Sequence, residues 1–258
     1  ITVNVNSTID ASITGPVLAC LSSPTSTYSV NSVTGATYVW TVIGGTITSG
    51  QGTNAILVTW STVGSKSISV TIDNLVCPIA KGNLSVNVNT PPDKTITGPT
   101  SICLNTPTAT YSVPNSSGSV YTWNITGGII NSGQGTTSVN VTWTSSGAKS
   151  ISVDIDNKAC AIETGVLNVN VNTPPNVNDQ IVKACAVTEK TFDGHPEGGT
   201  LPYLSHNWKI VVGSIVYSTN KNLLTVNPTS VSGVTRFRYT VTDSNNCSDS
   251  SLVDVQIY

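Results

Sequence analysis

Apolar residues alternate with Ser, Thr and Asn in short runs along the chain, and clusters of Gly, Pro, Asn or Ser close each run. In SISVTI, Ile68, Val70 and Ile72 share one face; in LSVNVN, Leu84, Val86 and Val88 do the same. A period of two with one polar face marks antiparallel strands that are wet on one side. The pattern predicts strands over 27–31, 37–43, 45–49, 54–60, 66–72 and 82–89, and no window carries the 3.6 period of a helix.

The same pattern then recurs. Residues 13–92 and 96–175 align without a gap at an offset of 83, with 46 of 80 positions identical. Both copies run from ITGP through a cysteine, TYSV, Y-x-W, a Gly pair, SGQGT, a strand ending in Trp (Trp60, Trp143), KSISV, IDN and a second cysteine to VNVNTPP. Such identity between neighbours points to tandem duplication. The first residues, ITVNVNSTID, lie over LSVNVNTPPD (84–93), so 1–10 reads as the closing strand of a preceding repeat. The expected units are therefore 11–93 and 94–176, followed by a divergent third at 177–258. The third lacks SGQGT, and its last residues, RFRYTVTDSNNCSDSSLVDVQIY, read as two strands joined by a polar turn. NTPPD (89–93) and NTPPN (172–176) are linkers that two prolines keep extended, so the units should be strung end to end as a rod.

About seven short strands per ~80 residues, with turn signals at short intervals, argue an all-β chain of three tandem immunoglobulin-like sandwiches in an extended array. The sequence ITGP…C…TYSV…Y-x-W…GG-x-I…SGQGT…V-x-W…ISV-x-I-x-N…C resembles the PKD-like, immunoglobulin-like repeats of very large Bacteroidota surface proteins, including gliding-motility adhesins exported by type IX secretion. That resemblance implies an extracellular, cell-surface repeat protein whose partners are neighbouring repeats or subunits. One departure matters. PKD domains often carry W-x-F-G-D-G after the central Trp, whereas this chain has WTVIGG and WNITGG, so a ligand role of that Asp does not carry over.

Composition narrows the function. Lys and Arg total 11 against 13 Asp and Glu, a net charge of −2, which excludes a basic nucleic-acid surface and a polybasic membrane patch. No apolar run is long enough to insert into a membrane. Ser, Thr and Asn number 33, 38 and 25, which suits pleated strands with neutral faces better than a catalytic cleft. The chain has no Met, even at position 1, which reads as a processed or excised piece, and ITVNVNSTID lacks the features of a secretory leader.

Six cysteines fall two to a unit: Cys20 and Cys77, Cys103 and Cys160, Cys185 and Cys247, spaced by 57, 57 and 62 residues. An even, repeated count in a low-charge chain predicts disulfides, and the expectation is three bridges, each within its own unit at one end of the sandwich. No zinc set, cofactor motif or catalytic constellation is expected. The two histidines, His195 and His206, read as loop residues; Asp193, Glu197 and Asp243 would meet only by accident of the fold. Calcium wants several carboxylates. The first junction offers Asp93, with Asp10 and Asp73 distant in sequence, and the second offers Asp179 and Glu163; Asp243, Asp249 and Asp254 make unit three the one acidic spot. The expected function is a stalk or spacer of a secreted adhesin or fibre that self-associates, with Ile1–Asn6 as a candidate donor strand. The alternative is a carbohydrate-binding or accessory module of a secreted enzyme. For that reading Trp60 and Trp143 are the candidate residues for stacking on surface glycans, and SGQGT is either a sugar-binding loop or a tight turn.

Overall fold

The computed structural model describes residues 8–21, 23–228 and 233–258. The closing strand and donor strand expected over Ile1–Asn6 lie outside the described residues, while Ile9 packs against the core of unit one. All regular structure among the described residues is β, in three successive pairs of sheets, each pair around its own core.

Unit one contains β1 (Leu18–Cys20), β2 (Ser26–Ser29), β3 (Thr37–Ile43), β4 (Gly45–Ser49), β5 (Ala55–Trp60), β6 (Gly64–Asp73) and β7 (Ala80–Asn89). Sheet β1-β7-β6-β3 faces sheet β2-β5-β4. Unit two repeats this plan with β8 (Ser101–Cys103), β9 (Ala109–Ser112), β10 (Val120–Thr126), β11 (Gly128–Ser132), β12 (Ser138–Trp143), β13 (Gly147–Asp156) and β14 (Glu163–Asn172), ordered β10-β13-β14-β8 and β11-β12-β9. In unit three, β15 (Pro175–Asn176) and β18 (Glu197–Gly198) form a small pair. The main sheets there are β16-β23-β22-β19 and β17-β21-β20, with β16 at Gln180–Ala184, β17 at Lys190–Asp193, β19 at Ser205–Val212, β20 at Val216–Asn220, β21 at Leu223–Asn227, β22 at Gly233–Thr242 and β23 at Ser248–Ile257. The two final strands expected in unit three are β22 and β23.

Alternation decides which side chains meet. Ile68, Val70 and Ile72 of β6 are buried with Tyr38 and Trp40 of β3 and Ile56, Val58 and Trp60 of β5. The intervening positions face water, so Val39 of β3 is exposed. Tyr28 and Trp60 meet edge to face at 6.1 Å, as Tyr111 and Trp143 do in unit two, geometry worth about 0.5–1.5 kcal/mol beyond area burial. In unit three Trp208 lies 4.5 Å from Tyr239.

The first strand of each unit, too short to show a period, runs parallel to the last: Cys20 is opposite Asn89, and Cys103 is opposite Asn172. Both strands thus end at the same pole, where the chain leaves the unit. The hairpin joining the last two antiparallel strands lies at the other pole, where the chain arrives. These are called the downstream and upstream poles. Gly82 of β7 gives the arriving segment room; a Cβ there would sit 1.9 Å from the Ala11 carbonyl oxygen, and Gly165 repeats the arrangement against Lys94.

Candidate functional site: the junctions between units

The first cysteine of each unit lies at its downstream pole and the second at its upstream pole, in the hairpin between the last two strands. The closing strand of ten residues separates the two poles by about 30 Å. Disulfides need Cα atoms within about 7 Å. The intra-unit pairing expected from the even spacing is therefore corrected: Cys20 is bonded to Cys160 and Cys103 to Cys247, with Cα–Cα distances of 4.8 and 5.5 Å. Each bridge joins the downstream pole of one unit to the upstream pole of the next. Of the remaining two cysteines, Cys77 occupies the upstream hairpin of unit one, and Cys185 is an exposed thiol in unit three.

Local sequence shapes the hairpin that carries each second cysteine. Asn74 Oδ1 accepts the Cys77 N–H at 2.9 Å, and Asn157 Oδ1 accepts the Cys160 N–H at 2.9 Å. In unit three Asp243 takes over, accepting from the N–H groups of Asn245 at 3.0 Å and Cys247 at 2.9 Å, while its other oxygen accepts from Thr200 N–H at 2.8 Å. A short side-chain acceptor that bonds backbone just ahead of it sets such turns. Leu75 and Lys158 bend the chain through positive φ two residues before their cysteines, and Asn246 does so one residue before Cys247.

The junctions are closed by polar contacts as well. Asn157, 4% exposed, donates from Nδ2 to the Thr90 carbonyl of the first linker at 2.9 Å. At the second junction Asn105 Nδ2 donates to the Ser248 carbonyl at 2.8 Å. The second proline of each linker, Pro92 and Pro175, is buried. A cleft of about 480 Å³ remains beside the first linker, lined by Gly64, Asn89, Pro91, Asn115 and Asn157 among others.

The remaining expected site residues are placed as follows. Trp60 and Trp143 are 6% and 3% exposed inside their cores, which corrects the stacking expectation: neither ring offers a face to a sugar. SGQGT is a turn with a specific task. Gln51 Oε1 accepts the Trp40 N–H at 3.0 Å, and Gln51 Nε2 donates to the Trp40 carbonyl at 2.9 Å. Gln134 does the same to Trp123, both at 2.8 Å. β3 and β10 are edge strands, so the amide occupies the ladder position a further strand would take. Trp40 Nε1 also donates to the Thr53 carbonyl at 2.8 Å. Gly50 stands at φ +86°, and a Cβ there would lie 2.1 Å from the Ala55 oxygen. This role was missed in the sequence; its one signal was the fixed spacing of Gln after Trp in both copies.

His195 is exposed, with its N–H on Asp193 Oδ1 at 2.7 Å. His206 Nδ1 lies 2.6 Å from the Tyr239 hydroxyl, and burial holds its imidazole below the usual histidine range. Asp193 also accepts from Asn222 Nδ2 at 2.6 Å. Asp254 pairs through both oxygens with Arg236 at 2.6 and 2.8 Å, and Asp249 accepts the Val177 N–H at 3.0 Å. Among the described residues no group of three or more His, Cys, Asp or Glu is arranged to hold a metal ion. No helix among them is long and apolar enough to cross a membrane.

Comparison with solved structures finds an I-band fragment of titin, 11% identical with TM-score 0.46, covering 95% of this chain and 98% of that one. Invasin, a bacterial integrin-binding protein, is 14% identical with TM-score 0.46, covering 96% of this chain and 60% of that one. Sidekick-1 immunoglobulin domains 1–5 are 12% identical with TM-score 0.38, covering 95% of this chain and 59% of that one. No curated protein matches the sequence. The family model of the PKD-like domain matches twice in tandem, over residues 6–88 and 89–171. The chain thus belongs to the PKD-like domain family.

Proposed function

We propose that this chain is a spacer segment of a secreted bacterial surface adhesin or extracellular fibre, holding terminal binding domains away from the cell. The observation that carries the reading is the pair of disulfides between successive units. A fold-stabilising bridge pins a sandwich to itself, as the inter-sheet disulfide of antibody domains does. These bridges cross between sandwiches, so they fix the direction and spacing of neighbours. Disulfides persist in oxidising, extracellular surroundings, which supports a segment that works outside the cytosol. Neutral Ser, Thr and Asn faces suit a spacer that avoids nonspecific ion pairing. The Bacteroidota, gliding-adhesin source is the part of the proposal that rests on sequence resemblance alone. The carbohydrate-module reading has no aromatic platform in Trp60 or Trp143.

Small-angle scattering tests the proposal. Three sandwiches end to end, each about 30 Å or more between poles, should give a maximum dimension near or above ~100 Å when oxidised. Reduction should broaden the distance distribution as the junctions begin to bend. A compact, near-spherical oxidised particle would overturn the spacer reading.

A further inference from the structure

The staggered bridges set a rule for the first cysteine of each unit, and Cys185 satisfies its geometry. Leu21 N–H bonds the Asn89 carbonyl and Leu104 N–H the Asn172 carbonyl, both at 2.9 Å; Ala186 N–H bonds the Tyr258 carbonyl at 2.9 Å. After Cys20, Cys103 and Cys185 alike, the chain turns with an N–H three residues on bonded back to the cysteine carbonyl, at 3.1, 3.0 and 3.3 Å. Cys185 therefore stands at the same point of the same pole as Cys20 and Cys103. In both of those units this cysteine is bonded to the upstream hairpin of the next one.

The surroundings point the same way. Two residues beyond Cys103, Asn105 reaches across the junction to Ser248. The matching residue in unit three is Val187, which is 85% exposed, and beside it Tyr258 is 64% exposed. At the second junction a polar side chain meets a polar hairpin; here an apolar pair flanks an exposed thiol. A hairpin that complements it carries apolar residues beside its cysteine, as Ala159, Ala161 and the exposed Ile162 flank Cys160 in sequence.

We infer that Cys185 is a junction thiol whose partner is the upstream-hairpin cysteine of a further PKD-like unit docked on the downstream pole of unit three. The inference rests on the spacer reading and gives that spacer's partner at this pole. The reaction joins the two sulfurs as each thiol gives up its proton. The two electrons pass to a disulfide oxidant, such as the disulfide form of a thiol oxidoreductase or oxidised glutathione, which is reduced to two thiols.

The test extends the full chain beyond Tyr258 with a second copy of residues 89–172 and oxidises it in a glutathione redox buffer. Non-reducing peptide mapping should find Cys185 joined to the copy of Cys160, and Cys185 should lose its alkylation. Cys160→Ser in the appended copy alone should restore full alkylation of Cys185. Cys185 remaining alkylated in the extended chain, or joining the copy of Cys103, overturns the inference. A second measurement needs no added unit: in the native, unextended chain Cys185 should react with maleimide while Cys20 and Cys103 do not, and a protected Cys185 also overturns it. If Cys185 fails while the Cys20–Cys160 and Cys103–Cys247 bridges are found, the junction thiol falls and the spacer reading stands; loss of those two bridges defeats the spacer reading itself.

Discussion

Reducing the two disulfides should change how far the chain can be stretched, by an amount fixed by their placement. When oxidised, Cys20 and Cys160 act as one covalent node and Cys103 and Cys247 as another. Three backbone segments connect the nodes, 20–103, 103–160 and 160–247, spanning 83, 57 and 87 residues. The shortest sets the limit. A taut chain spans about 3.4 Å per residue, so oxidised protein cannot extend beyond about 190 Å between the nodes even when fully unfolded. Reduced protein is limited by all 227 residues from Cys20 to Cys247, about 770 Å. Single-molecule force extension with handles at the two ends, attached by chemistry that spares cysteine, reads the difference of about 580 Å directly. Cys160→Ser should leave the 83-residue segment in control, for a limit of about 280 Å, and Cys247→Ser the 87-residue segment, about 300 Å. Equal release lengths with and without reductant would refute the inter-unit pairing, whatever the strength of each sandwich.

Other outcomes follow from single residues. Non-reducing peptide mapping of the native chain should join Cys20 to Cys160 and Cys103 to Cys247; bridges from Cys20 to Cys77 and from Cys103 to Cys160 would contradict the polar placement. Trp60→Ala should cost about 3–5 kcal/mol in urea unfolding of unit one, because it empties a core position, and on a glycan array it should remove no specific binding. Gln51→Ala should destabilise unit one by about 1–3 kcal/mol, since it leaves the Trp40 N–H and carbonyl without their partner; an unchanged urea midpoint would mean the edge is satisfied by water. Thermal melting of unit three, followed by Trp208 fluorescence, should fall as pH drops from about 7.5 to about 5. Burial depresses the His206 pKa, so the unfolded chain takes up the proton first; the stabilisation is complete above the unfolded value of about 6.5 and is lost as pH falls through it toward the folded one. His206→Gln should flatten that slope, whereas loss of the Asp254–Arg236 pair belongs to a more acidic window, because hydrogen bonding to Arg236 lowers the Asp254 pKa.

Strand positions were legible because alternation is a local property. The ranges 37–43 and 45–49 coincide with β3 and β4, and 54–60 and 66–72 differ from β5 and β6 only at their ends. The same alternation placed Trp60 in line with Ile56 and Val58, an inward face that its strand-end position disguised. β1 was missed because three residues, Leu18 to Cys20, are too few to show a period. Cysteine pairing was not legible, since equal spacing within a unit says nothing about which pole each cysteine occupies. That depends on the parallel pairing of β1 with β7, a contact between the two ends of a repeat. The Gln51 clamp was hidden for a similar reason: a side chain standing in for a strand exists only once the loop has folded back onto β3.

The stagger of the bridges also bears on survival among proteases. In beads joined by linkers alone, one cut in one loop parts the string. Here the hairpin of unit one exposes Leu75 and Val76 to attack, at 89% and 71%, yet cleavage there leaves two other covalent routes from Cys20 to Cys247. A second cut confined to the third unit's half of the chain leaves one more, through the middle sandwich. Parting Cys20 from Cys247 requires three separate incisions, or one incision together with a reductant, so a cut in an exposed apolar hairpin is damage the molecule tolerates while it stays attached.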